Sequence, residues 1–373
     1  MNRYPLGIQT FEEIRKNNQY YVDKTDLIYN IVKGSQSNFL NRPRRFGKSL
    51  LVTTMQAYFE GKKDLFKGLA IEKLEKEWVK YPVIHLDLSR GKYYEIQVVH
   101  STLNAVLSFY EAKLGITVAE GRTYGTRLDE IIQTTAAQTG QKVVVLIDEY
   151  DAPMLDSNAK PELQEQIRSI MRDFFSPLKA NEGLLRFVFL TGITKFSQLS
   201  IFSELNNIKN YSLDDEFGAI CGFTQEEILS TFHEGIHEMA KANDLTTEQT
   251  VAKMKEQYDG YRFTPHCPNI YNPYSVLNAL HDKKFSNYWF ATGTPTFLLE
   301  LLIKNDIEMP QLEGIVATED QFDSPTDNIG NPIPVLYQSG YLTIKDYDEG
   351  IYTLGYPNEE VRMGLNRSML NYI

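Results

Sequence analysis

At 373 residues the chain exceeds one typical domain, so two or three are expected, and its 23 Tyr and 20 Phe can fill large cores. A net charge of −11 argues against wholesale nonspecific binding of nucleic acid, and two cysteines support neither a disulfide framework nor a four-ligand zinc site. No run approaches the ~18 apolar residues of a membrane span and the N-terminus lacks a signal-peptide core, so a cytoplasmic protein with no membrane partner is expected.

In chain order, the first informative stretch is Asn41-Arg42-Pro43-Arg44-Arg45-Phe46-Gly47-Lys48-Ser49-Leu50, which follows the short apolar run Phe39-Leu40. Gly47-Lys48-Ser49 reads as the end of a phosphate-binding loop, G-x-x-x-x-G-K-[ST], with Arg42 where the first glycine would stand. Such a loop aims backbone N–H groups and the positive end of the next helix at phosphate oxygens. Lys48 adds a point charge, and the Ser49 hydroxyl is a ligand for Mg²⁺. In an acidic chain the cations Arg42, Arg44, Arg45 and Lys48 are concentrated where phosphate would sit. The segment Arg42–Leu50 is therefore the candidate nucleotide-binding loop. Leu51, Met55, Tyr58 and Phe59 then recur at helical spacing up to Gly61, as the helix after such a loop must.

Val83–Leu88 reads as a strand. A helix carrying Ile96, Val99, Leu103, Val106, Leu107 and Tyr110 follows and stops at Gly115. Thr126 to Asp129 resembles a capping box opening the next helix, which ends at Gly140. Val143–Ile147 is wholly apolar and mostly β-branched, as a buried parallel strand requires, and it ends in Asp148-Glu149. A carboxylate at that tip faces the ligand crevice of an open α/β sheet. Asp148 is the candidate Mg²⁺ ligand beside Ser49, and Glu149 the candidate base for a water attacking the γ-phosphate. A helix through Leu163, Ile167, Ile170, Met171 and Phe174 closes at Pro177, and Arg186–Leu190 forms a further strand ending in Thr191-Gly192. Thr191 is either a sensor of the γ-phosphate or a plain strand-end hydroxyl. Strands alternating with helices predict an α/β fold: a P-loop NTPase core with a mostly parallel sheet covered by helices on both faces.

From Phe223 the pattern turns helical, with Thr224 as an N-cap. His233-Glu234-Gly235-Ile236-His237 matches H-E-x-x-H, but Gly235 weakens the helix, the segment is polar and no third ligand follows, so a solvated helix face is expected rather than zinc. Leu298 to Leu302 mark another helix, residues 311–334 read as a loop or linker, and Tyr341–Ile344 with Ile351–Leu354 read as a β-hairpin before a helix start at Asn358-Glu359-Glu360.

The arginine-rich loop, with Tyr21-Val22-Asp23-Lys24-Thr25, Leu146-Ile147-Asp148-Glu149-Tyr150-Asp151, Leu190-Thr191-Gly192-Ile193-Thr194-Lys195-Phe196, Ile201-Phe202-Ser203-Glu204-Leu205-Asn206-Asn207, Tyr258-Asp259-Gly260-Tyr261-Arg262-Phe263 and Tyr341–Ile344, resembles the bacterial AAA-ATPase-like family. The resemblance implies an ATPase core over 1–215, a helical lid over 216–310, and a linker with a small winged-helix-like module over 311–373. It implies ATP and Mg²⁺ as cofactors and catalytic roles for Lys48 and Glu149 and less firmly for Thr191; it assigns no arginine finger or second sensor, for which Arg44 or Arg45 is an option in cis. Members commonly carry a PD-(D/E)XK nuclease domain after the ATPase. No such motif occurs up to Ile373, so the expectation is a chain truncated before that domain, a natural short member, or a partner for a separate nuclease or DNA-linked effector, and assembly into a homo-oligomer is a family option. The leading expectation is a Mg-dependent ATPase that uses nucleotide state to control an effector. The alternative is a nucleotide-dependent switch or scaffold with little or no hydrolysis, and a nucleic-acid-linked device is a third reading.

Overall fold

The computed structural model describes residues 3–157, 160–195, 208–292, 296–326 and 330–370. The chain groups into two compact units, each discontinuous in sequence: Thr25–Asn41 with Leu51–Tyr211, and Met1–Lys24 with Arg42–Leu50 and Ser212–Ile373.

The first unit is built on a parallel sheet. β1 (Ser37–Asn41), β2 (Val83–Asp87), β3 (Val143–Asp148), β4 (Leu185–Gly192) and β5 (Lys209–Asn210) lie in the order β2-β3-β4-β1-β5. Each neighbouring pair is parallel, the feature the strand–helix alternation predicts. β3 is buried at every residue, because helices cover both faces and leave no polar side to the strand. Val143–Ile147 are wholly excluded from solvent, and burying each such side chain contributes about 1.5–3 kcal/mol. Val143, Val145 and Ile147 join Leu103, Leu107, Leu128, Ile131, Ile167 and Met171 in one core. Those partners come from the helices Ile96–Leu114, Tyr124–Thr139 and Pro161–Phe175. The first two end at Gly115 and Gly140, both left-handed, as a glycine C-cap requires. The second starts earlier than expected: Thr123, not Thr126, is the N-cap, and its hydroxyl accepts the Thr126 N–H. The local pattern offered two threonines three residues apart, and only the backbone turn decides between them.

Parallel pairing sets the strand ends along one edge. Asp87 stands opposite Asp148, Ile147 opposite Leu190, Leu40 opposite Thr191 and Asn41 opposite Gly192. The chain then leaves β1 directly into the arginine-rich loop, and the helix Lys48–Phe59 begins within it.

The second unit holds a helical group and a small antiparallel sheet. The helices Gln225–Thr231, His233–Ala242, Thr247–Tyr258 and Pro273–Asp282 share a core of Ile228, Phe232, Ile236, Met239, Met254, Val276 and Leu280. Thr224 caps the first of them in a capping box with Glu227. β6 (Ile315–Thr318), β7 (Thr343–Asp348) and β8 (Ile351–Gly355) form an antiparallel sheet in the order β6-β8-β7. The hairpin turn is tighter than the sequence implies, since only Glu349 and Gly350 connect β7 to β8, both at positive φ as a primed turn needs. β6 corrects the reading of residues 311–334 as a loop. Four residues with one buried side chain, Ala317, give too short an alternation to register, and pairing with β8 is what makes them a strand.

Candidate functional site: a phosphate loop and an acidic strand tip

Pro43, Phe46 and Lys48 are buried, whereas Arg44, Arg45 and Gly47 are exposed. Arg42 is 2% exposed. Its guanidinium donates to the carbonyls of Ser212 at 2.9 Å and Phe217 at 3.2 Å and lies 4.4 Å from the Phe263 ring centre. Burial pulls its pKa below the ordinary value, yet a guanidinium remains charged at neutral pH. Arg42 is thus engaged by protein carbonyls, and the loop's exposed cations are Arg44 and Arg45. The Lys48 ammonium donates to Pro43 O at 3.1 Å, folding the side chain back over its own loop.

Two carbonyls of the loop are held from within the same unit. Trp289 Nε1 donates to Arg44 O at 2.9 Å, and the Gly222 N–H donates to Phe46 O at 3.1 Å. In a trans peptide plane the C=O and the next N–H point in opposite directions. The Arg45 and Gly47 N–H groups are therefore turned away from Trp289 and Gly222. Arg45 has φ +67° and Gly47 φ +94°. Left-handed residues in such a turn gather N–H groups into an anion-binding concavity. A side chain at Gly47 would meet nothing, so conformation rather than space calls for glycine there. Phe46 anchors the loop edge-on against Tyr261 and Phe263, at centroid distances of 4.7 and 5.4 Å.

In the sheet unit, the tips of β1, β3 and β4 are tied together by side chains. Asp148 is 3% exposed, its carbonyl accepts Leu88 N–H at 3.1 Å, and Glu149 is half-buried at φ +53°. That left-handed turn ends the ladder immediately after Asp148. Asp151 is wholly buried, and its Oδ2 accepts Ile193 N–H at 2.9 Å, Thr194 N–H at 2.7 Å and the Thr194 hydroxyl at 2.9 Å. Tyr150 OH donates to Thr194 O at 2.8 Å, and Asn41 Nδ2 to Ile193 O at 3.2 Å. A Cβ on Gly192 would stand 2.3 Å from Asp151 Oδ1, so only glycine fits beneath that carboxylate. Thr191 is wholly buried, and its Oγ1 has no hydrogen-bond partner among the described residues. Residue-by-residue reading passed over Asp151 and Asn41. The second aspartate of Asp148-Glu149-Tyr150-Asp151 is the available signal.

The stretch from 5 to 202 matches a family model described as "Predicted AAA-ATPase". The chain belongs to the AAA-ATPase-like family. An uncharacterized protein in the vnfD 5′ region of Azotobacter chroococcum mcd 1 is 34% identical over 373 residues, covering 99% of this chain and 70% of that one. Among solved structures, the Aeropyrum pernix ORC2 protein in ADPNP–ADP complexes aligns over 96% of this chain and 94% of its own, at 11% identity and a TM-score of 0.32. Cdc6p from Pyrobaculum aerophilum aligns over 97% and 94%, at 10% identity and 0.30.

As an AAA-ATPase-like chain it has the expected parallel-sheet core. The Ile201–Asn207 part of the family pattern, with Phe196, lies outside the described residues. The H-E-x-x-H segment forms the helix His233–Ala242 with His233, Glu234 and His237 exposed, and Gly235 is buried where a Cβ would meet the Tyr4 hydroxyl at 2.0 Å. Among the described residues no group of three or more His, Cys, Asp and Glu side chains is placed to hold a metal ion. No described helix is long and apolar enough to cross a membrane.

Proposed function

We propose that the chain binds a nucleoside triphosphate, ATP, through Arg42–Leu50 and hydrolyses it with Mg²⁺. The observation that carries this reading is the loop backbone: Arg44 O and Phe46 O are taken up by Trp289 and Gly222, which turns the Arg45 and Gly47 amides the other way. N–H groups so ordered before a helix N-terminus suit phosphate oxygens. Lys48 binds the phosphate chain once its ammonium leaves Pro43 O, and Arg44 and Arg45 add exposed positive charge, either of them available as an arginine finger. Arg42 supports the loop from inside the protein. Ser49 and Asp148 are the residues that would hold Mg²⁺, which when bound would offset charge on the phosphates. Glu149 orients and deprotonates the attacking water, and Thr191, whose buried hydroxyl has no hydrogen-bond partner among the described residues, senses the γ-phosphate. The reading that nucleotide state controls an associated effector such as a nuclease or DNA-linked partner, and that copies assemble, rests on the family resemblance.

Calorimetric titration of ATP and ADP with Mg²⁺ into wild type and Lys48→Ala tests the binding. Saturable binding in wild type that is lost in the variant is expected; equal heats in both would refute the loop assignment. Glu149→Gln should bind ATP and fail to turn it over. An unaltered hydrolysis rate in that variant removes Glu149 from the mechanism, and binding without turnover in wild type leaves a nucleotide-dependent switch.

A further inference from the structure

Trp289 is 5% exposed, and a buried indole needs a partner for its N–H. It finds one 245 positions earlier, in Arg44 O of the phosphate loop. The indole is wedged against Tyr341 and Tyr261, at centroid distances of 5.4 and 6.4 Å, and Tyr261 in turn packs on Phe46. Its main chain is held as firmly. Trp289 N–H donates to Glu360 Oε1 at 2.7 Å and approaches Ser275 Oγ at 3.1 Å, while the Ser275 hydroxyl donates to Glu360 Oε2 at 2.7 Å. Glu360 is 1% exposed and sits in the first turn of the helix Glu359–Leu370. That helix is capped by Asn358, which accepts Val361 N–H at 3.1 Å and ties back to Asp259 O at 2.9 Å. A continuous set of bonds thus runs from the helix Glu359–Leu370 through Glu360 and Trp289 to one carbonyl of the loop.

That carbonyl matters because Arg45, the next residue, is a non-glycine at φ +67°, a strained conformation that persists only where its surroundings hold it. The Arg44–Arg45 peptide is free to flip when neither face is bonded. Trp289 bonds one face, and the Tyr274 ring lies 5.1 Å from the Arg45 guanidinium.

We propose that Trp289 is a positioning residue for nucleotide binding, held in place by Glu360, which presets the Arg44–Arg45 peptide so that the Arg45 N–H is offered to a phosphate oxygen. The proposal rests on the reading of Arg42–Leu50 as a phosphate site. When the indole N–H is removed, the binding-competent peptide orientation becomes one of two, and apparent affinity falls by the fraction lost. One neutral hydrogen bond corresponds to a loss of roughly 3- to 10-fold.

The test uses the full chain carrying Trp78→Phe, so that Trp289 is the sole indole. Mg·ATP, Mg·ADP and inorganic pyrophosphate are titrated by calorimetry into this protein, into Trp289→Phe, and into protein with benzothienylalanine at 289, which keeps the ring shape and lacks the N–H. All three ligands are expected to weaken by a similar factor, about 3- to 10-fold, in both replacements, with the urea midpoint of the benzothienylalanine protein close to the parent. The ¹⁵N-indole resonance of Trp289 should shift on adding Mg·ADP, a response that a merely structural tryptophan would not give. Glu360→Ala should reproduce the loss and add little to it when combined with Trp289→Phe. Parent-like affinity in the benzothienylalanine protein, with an unmoved indole resonance, overturns the positioning role and leaves the loop assignment standing. No binding by the parent, with heats matching Lys48→Ala, overturns both.

Discussion

Glu360→Gln isolates the energetic consequence of burying a carboxylate behind the loop. Burial raises the Glu360 pKa from the ordinary 4.5 to about 7, against the opposing hydrogen bonds from Ser275, Trp289 and Phe290. The titratable groups that feel its charge are the phenols of Tyr258, Tyr261 and Tyr288, all held above their ordinary pKa and neutral from pH 5 to 8. Because the folded pKa lies above the unfolded one, the folded state binds the extra proton between these two values. The resulting stability is full below about pH 4.5 and is lost as pH rises through 7. A shift of this size corresponds to about 3 kcal/mol. Glutamine keeps an oxygen for Trp289 N–H, points its amide at the Ser275 oxygen and carries no charge. The variant is therefore expected to match wild type near pH 5 and to exceed it by up to about 3 kcal/mol near pH 8. Urea unfolding at pH 5, 6.5 and 8, followed by Trp289 fluorescence in the Trp78→Phe background, measures the difference directly, since groups titrating in both proteins cancel. A difference that stays constant across the three pH values would refute the assignment of the shift to Glu360.

Other outcomes follow from the two struts of the candidate site. Arg42→Ala leaves the Ser212 and Phe217 carbonyls without their donor and should cost about 3–5 kcal/mol in urea unfolding, while Arg42→Lys keeps the charge and should cost less than half as much. Loss of nucleotide affinity in Arg42→Lys at unchanged stability would instead place Arg42 on the phosphates. Asp151→Ala removes three bonds to Ile193 and Thr194 and should destabilise by about 2–4 kcal/mol, lowering ATP turnover with it. Gly192→Ala forces a methyl onto Asp151 and should cost about 1–3 kcal/mol; a neutral result by thermal unfolding would show that the carboxylate moves aside freely.

Much of the sheet unit was legible in the sequence because its signals are local. Val143–Ile147 must be buried on both faces wherever it goes, and Gly115 and Gly140 stop helices through their own backbone freedom. The candidate loop was legible for the same reason, since Gly47-Lys48-Ser49 carries its chemistry within three residues. β6 was not, because a four-residue strand acquires its identity from the neighbour that pairs with it.

The sequence by itself determined the strand–helix alternation of the sheet unit, the acidic end of β3 and the Gly47-Lys48-Ser49 end of the candidate loop, all set by side-chain periodicity and backbone preference over a few residues. Tertiary structure alone decided what each loop residue faces. Four cations spaced over seven positions look equivalent in a string, yet Arg42 is withdrawn among carbonyls and an aromatic ring, Lys48 folds back on Pro43, and Arg44 and Arg45 stay in solvent. The same holds for the Arg44 carbonyl, whose partner Trp289 is 245 residues away. Hydrogen bonds and burial depend on distance in space, and no local pattern encodes a contact over that separation.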